Sequence, residues 1–153
     1  MATYRDNPYG AFNFLVALGG PQGDGSEGTI IGGFSDCSGL GYEVNYSDYR
    51  NGNEKYNTVR HVANTFKNDD VVLKRGLVGS DDLFAWLKGV RDGTADSRIV
   101  TVTVLDEARS PVIIFKLQNA QPSKWTGPTL AAKGGGEIAM EELHLKHEGI
   151  EYQ

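Results

Sequence analysis

Few side chains in this sequence are of the kinds that do chemistry, and their spacing keeps them apart. A nucleophilic thiol needs a neighbouring His or a helix N-terminus to lower its pKa. Cys37 sits in Phe34-Ser35-Asp36-Cys37-Ser38-Gly39, and His61, His144 and His147 are all distant from it. It reads as a small, buried or half-buried residue. His144 and His147 are three positions apart. On a strand that spacing puts them on opposite faces, where they cannot chelate one ion together. On a helix the spacing would serve, but no further ligand cluster accompanies it. Asp81-Asp82 form a possible carboxylate pair, yet a predicted helix start explains them more simply, because carboxylates there complement the helix dipole. Glu141-Glu142 fall on opposite faces of a predicted strand and read as solvated or interfacial. The Gly19–Gly28 run (GGPQGDGSEG) lacks the G-K-[ST] ending of a phosphate-binding loop, and no helix follows it. It reads as a surface loop. The expectation is no catalytic centre, no metal and no cofactor.

The elements that hold these residues belong to a chain of 153 residues, the usual size of one domain, and no linker or long repeat divides it. The expectation is one domain over 1–153. Hydrophobic residues make up 39% and charged residues 23%, so a core is affordable without staples, and one cysteine excludes an internal disulfide. A net charge of −5 argues against a broad basic face for nucleic acid. The apolar run Phe12–Leu18 is too short to span a membrane and lacks the basic flank of a secretion signal. The expectation is synthesis, folding and assembly in a cytoplasm.

Alternation predicts strands at Phe12–Leu18, Thr29–Phe34 (interrupted by Gly32-Gly33), Gly41–Tyr49, Asp70–Arg75, Arg98–Leu105, Val112–Gln118 and Glu137–Glu148, the last with a helix as its alternative because Glu, Met and Leu are good helix formers. Asn51-Gly52 is a turn signal, with Tyr56–Val62 as the returning segment. Arg98–Leu105 and Val112–Gln118 read as a hairpin. Gln121-Pro122 and Gly127-Pro128 bracket Trp125 in a stretch that reads as irregular. One helix is predicted over Asp81–Asp92, with Ser80 as N-cap and Gly93 as stop. Its buried stripe is Leu83, Trp86, Leu87 and Val90, at i, i+3, i+4 and i+7. The fold class is mainly β (α+β): an antiparallel β-sandwich or barrel with one packed helix.

Four ordered segments, taken together, resemble a known family. They are Asn7-Pro8-Tyr9 with Phe12–Val16; Gly32–Leu40 continuing to Tyr49-Arg50-Asn51-Gly52; Val72–Gly76 leading to Trp86; and Asn119–Pro128 followed by Ile138–Gly149. In this order they resemble the tail-tube proteins of contractile phage tails and of the related extracellular contractile injection systems. The resemblance spans nearly the whole chain. It implies a hexameric ring in which four strands per copy join into a continuous 24-stranded inner barrel. Rings would stack into a hollow conduit, propelled through a target envelope when a surrounding sheath contracts. Related tube proteins serve type VI secretion.

The resemblance also implies partners: other copies of the chain, a sheath protein, baseplate or spike and terminator proteins, and cargo (DNA or protein) in the lumen. Tyr42–Val62 becomes an arm toward neighbouring subunits, with Tyr46, Tyr49, Arg50, Asn51, Gly52 and Tyr56 as candidate contacts, since Tyr and Arg are enriched in interface hot spots. A lumen needs polar side chains. The candidates are Thr101, Thr103, Lys116 and Gln118 on one hairpin and Glu43, Asn45 and Ser47 on the other. Six copies at −5 each would carry a formal −30 per ring. The competing reading is a stand-alone β-sandwich that binds a ligand in its glycine-rich loops.

Overall fold

A computed structural model of the chain describes residues 4–19, 29–30 and 33–153. Among these, the strands are β1 (Phe14–Leu18), β2 (Thr29–Ile30), β3 (Asp36–Ser38), β4 (Tyr42–Tyr49), β5 (Arg60–Asn68), β6 (Val71–Gly76), β7 (Arg98–Leu105), β8 (Pro111–Thr126), β9 (Met140–Lys146) and β10 (Gly149–Tyr152). The helix α1 covers Asp82–Arg91, between β6 and β7. All strand pairs are antiparallel. The main sheet runs β2-β1-β7-β8-β9-β6-β3, with β10 paired to β8; β4 and β5 form a separate two-stranded sheet. The described residues are therefore mainly β, antiparallel, with one helix.

Period-two alternation builds the core. Val16 and Leu18 of β1, Val100 and Val102 of β7, Leu117 of β8, Leu143 and Leu145 of β9, and Val71 and Leu73 of β6 point inward and are buried. The helix lies against β8 and closes this core with Leu83 and Trp86, while Val90 packs at its margin and Leu87 is half-buried. Burying a leucine side chain contributes about 2 kcal/mol. The Trp86 indole N–H donates to the Asp96 carbonyl at 2.9 Å, and the Arg98 guanidinium stacks 4.7 Å from the ring centroid. That keeps the one polar atom of a buried indole satisfied.

β8 organises the sheet. Its first part pairs with β7 and β10, and its second part, Gln121–Thr126, pairs with β9. The change of partner follows Asn119, whose φ is 48°, a left-handed conformation that Asn tolerates better than most residues. Its side-chain amide donates to Glu148 Oε2 at 2.6 Å. Pro122 sits at an irregularity in the β8–β9 register, where a strand can accommodate a residue without an N–H.

Several expectations change. The stretch around Gln121-Pro122 and Trp125 is strand, because the Asn119 kink and the bulge absorb the residues that read as breakers. The partner of β4 is Arg60–Asn68 rather than Tyr56–Val62, since residues 50–59 form a wider braced loop. β3 was not expected, and Glu137–Glu148 is a shorter β9 followed by β10. The helix N-cap is Asp81, without a side-chain cap bond; the Ser80 carbonyl instead accepts from Arg75 Nη2 at 3.4 Å. Phe12 lies outside β1 and is exposed. The second expected strand is present as Thr29–Ile30, and Gly33-Phe34 lie outside it. The Gly19–Gly28 loop beyond Gly19, and Gly32, lie outside the described residues.

Candidate assembly surfaces

The candidate catalytic residues stay dispersed. Cys37 on β3 is half-buried, and burial pushes its thiol up to about 11, away from the thiolate a nucleophile needs. It lines a groove of about 500 Å³ with Phe14, Asp36, Leu40, Lys74 and Val102, where the β1–β7 end of the sheet faces β3 and β6. His61 pairs with Asp48 at 2.8 Å on the exposed arm, and His144 lies 3.5 Å from Glu142 on β9. The buried His147 meets the Asp69 carbonyl through Nε2 at 3.0 Å. The hydrogen bond from Lys74 holds the Glu142 carboxyl below its ordinary range. Among the described residues no group of three metal-ligating side chains converges.

One expectation about charge is reversed. Glu141 is not solvated: it is buried beside Arg75, its register partner across β6 and β9. Arg75 Nε donates to Glu141 Oε1, and the Trp125 indole donates to Glu141 Oε2 at 3.1 Å. The edge of Phe84 meets the Trp125 ring at 5.2 Å. The signal was present in the alternation, which puts Arg75 with Val71 and Leu73, and Glu141 with Leu143 and Leu145, on the core-facing sides. Opposite charges on two inward faces predict a pair.

The arm is the least self-sufficient part of the chain. Among the described residues, β4 and β5 pair only with each other. Tyr42, Val44 and Tyr46 share one face with Ala63 and Phe66; Glu43, Ser47 and Tyr49 share the other with Arg60, Val62 and Lys67. Asn45 falls at the register shift and donates to Thr65 Oγ1 at 3.3 Å. Tyr42, Tyr46, Tyr49, Tyr56, Val62 and Phe66 are all more than half exposed. A lone hairpin is marginal in water, and this one carries apolar side chains on both faces and two unpaired edges.

The tip is braced from within. Arg50 is half-buried and donates to the Tyr56 carbonyl at 3.2 Å, the Glu54 carbonyl at 3.1 Å and Asn57 Oδ1 at 3.2 Å. The Tyr49 hydroxyl bonds to Asn51 Oδ1, and Arg60 pairs with Glu54 at 2.8 Å. Arg50, Tyr49 and Asn51 thus shape the loop, whereas Tyr46, Gly52 and Tyr56 are turned out to solvent. The root is fixed too. Asp69 N–H donates to the Gly41 carbonyl at 3.1 Å, and Lys146 pairs with Asp70 at 3.3 Å. Gly39 has φ +84°, and a Cβ there would stand 2.0 Å from the Asp70 carbonyl oxygen.

A second surface is the outer face of β1, β7, β8 and β10. The register puts Thr101 and Thr103 beside Lys116 and Ile114, with Leu15, Ala17 and Glu151 alongside. Gln118 continues the same row opposite Gly149. This face is half-exposed and mixes polar with aliphatic side chains. Glu43 and Ser47 occupy a single face of the arm.

A family model described as T4-like virus tail tube protein gp19 matches residues 10–151. No curated protein matches the sequence. Among solved structures, a chain of the anti-feeding prophage baseplate, 6-fold symmetrised, is similar with a TM-score of 0.84 and 23% identity, covering 97% of each chain. A chain of the sheath–tube complex of an extracellular contractile injection system, in its extended state, gives 0.81 and 21% identity, covering 97% of this chain and 93% of that one. A type six secretion system protein gives 0.56 and 11% identity, covering 93% and 83%. At these identities the structural likenesses are likenesses of fold.

Proposed function

The chain belongs to the T4-like virus tail tube protein family, and from that premise we propose that six copies close into a ring whose inner wall is a 24-stranded barrel. Rings stack into a hollow conduit inside a contractile sheath, and sheath contraction drives the conduit through a target envelope. The role is structural, and we assign it no reaction. Sheath, baseplate or spike, and terminator proteins are its partners, and DNA or protein cargo passes through the lumen. The whole chain, 1–153, acts as one tube domain assembled in the cytoplasm of the producing cell.

The observation that carries this reading is the arm. A two-stranded sheet with free edges and exposed tyrosines on both faces gains its stability from neighbours. Closing strands around a ring removes such edges. Tyr46, Gly52 and Tyr56 contact the neighbour, and Tyr49, Arg50 and Asn51 hold the tip in shape for it. Thr101, Thr103, Lys116 and Gln118, with Glu43, Asn45 and Ser47, face the lumen, where polar side chains keep cargo from sticking. Deleting residues 50–55 is expected to leave a folded subunit that makes no rings or tubes. Normal long tubes in micrographs of that variant would contradict the proposal.

A further inference from the structure

The tube reading leaves unassigned the surface that receives the arm. β6 begins next to the arm's root at Asp69-Asp70 and ends at Gly76, about 20 Å away at strand rise. At that far end the Leu77 N–H donates to the Ala139 carbonyl at 2.9 Å, which sets Leu77 beside Ile138. Leu77 is 46% exposed, Val78 74% and Ile138 78%, and Phe84 at the start of α1 is 42% exposed. Exposed apolar residues scattered singly need no partner, but an adjoining set of them marks an interaction surface.

Charge distinguishes the two ends. Residues 50–60 at the arm's tip hold Arg50, Lys55 and Arg60 against Glu54, a net +2 in a chain of net −5. Residues 76–84 hold Asp81 and Asp82 and no cation, a net −2. Both aspartates are exposed and, among the described residues, make no ion pair; the same is true of Lys55. Apolar side chains adjoin the charge at each place: Tyr56 and Val59 at the tip, Leu77, Val78 and Ile138 at the other.

We propose that the arm tip of one copy docks on the Leu77–Val78–Ile138 surface, beside the acidic start of α1, of a second copy. The inference rests on the tube reading and adds the receptor surface to it. A basic, apolar tip meets an acidic, apolar patch at the opposite end of β6, so the contact is head-to-tail. Such a contact repeats, as a ring if the rotation closes and as a stack if it does not. Complementary charge sets register and suppresses tip-to-tip pairing.

The test uses the full-length chain with cysteines introduced at exposed positions, Tyr56→Cys/Val78→Cys, and a second pair, Val59→Cys/Ile138→Cys, in case one pair lacks disulfide geometry. Each is oxidised near pH 8 after rings or tubes are seen by electron microscopy. The native Cys37 competes poorly, because burial pushes its thiol up to about 11. The expected result is a ladder of disulfide-linked multimers on non-reducing gels for at least one pair, with the four single variants remaining unlinked. A ladder that stops at six puts the contact within a ring, and one that runs past six puts it between rings; both support the assignment. Assembled particles without a ladder from either pair overturn the docking assignment and leave the tube reading intact. A ladder of equal strength from a single variant does the same. A wild-type chain that forms no rings or tubes at any concentration overturns the tube reading, and the assignment with it.

Discussion

Arg75 and Glu141 form a buried charge pair on which the stability of the subunit depends. Both are buried, and Glu141 also accepts from the Trp125 indole. Removing one partner leaves the other charge buried and unpaired, so Arg75→Ala is expected to lower stability by about 3–5 kcal/mol, read as a fall in the denaturation midpoint. The double change Arg75→Met/Glu141→Leu removes both charges together and is expected to cost far less than the single change. A double variant as unstable as Arg75→Ala would contradict the pair's role. Cys37 gives a pH prediction. Its folded pKa of about 11 stands above the roughly 8.5 of an unfolded thiol. The folded chain therefore holds that proton between these values, and this contribution to stability is lost as pH rises through the window. Alkylation of native protein at pH 8 is expected to be about 200-fold slower than of a free thiol, from the smaller thiolate fraction. Rapid labelling of the folded chain would show an exposed, ionised Cys37 instead.

Among the elements, the arm depends on a root that only glycine fits. A side chain at Gly39 meets the Asp70 carbonyl, and its φ is left-handed. Gly39→Ala is expected to destabilise the subunit by about 2 kcal/mol or more and to displace the arm, measurable by thermal denaturation and by faster amide exchange in β4 and β5. The helix contributes through its buried side chains, and Leu83→Ala is expected to cost about 2–5 kcal/mol in the same measurement. Elements with simple periodicity were legible in the sequence: α1 within one residue at each end, β7 at its full length, and the alternation of β4. What escaped was set by partners distant in sequence. β8 continues through Asn119 and Pro122 because β7 and β9 pair with its two parts, and neither residue announces that. β3 has three residues and exists through its pairing with β6. Asn51-Gly52 reads as a turn with Tyr56–Val62 returning from it, but Arg50 gathers the carbonyls of Glu54 and Tyr56 and widens the connection into a braced loop that delays the return to Arg60. Glu141 reads as solvated or interfacial from its own strand alone, and only its register partner Arg75 on β6 explains why it is buried.

At the scale of the whole molecule, the chain divides into a body with its own core and an arm without one. That division suits a repeat unit: the body holds its fold while the arm waits for a neighbour. Six copies would carry a formal −30 per ring, and in the proposed tube the position of the carboxylates would govern what passes through the lumen. Replacing Thr101 and Thr103, which we propose face the lumen, by Lys is expected to leave the body folded and raise the retention of nucleic acid in purified tubes, scored by absorbance. Copies of this chain, in the proposed assembly, build a six-fold hollow tube through their arms, and cryo-electron microscopy of the assembled full-length protein tests this most directly. The predicted result is a stack of hexameric rings with a continuous β-lined channel and every arm packed on another copy. A particle without a channel, or one in which the arms stand free in solvent, would contradict it.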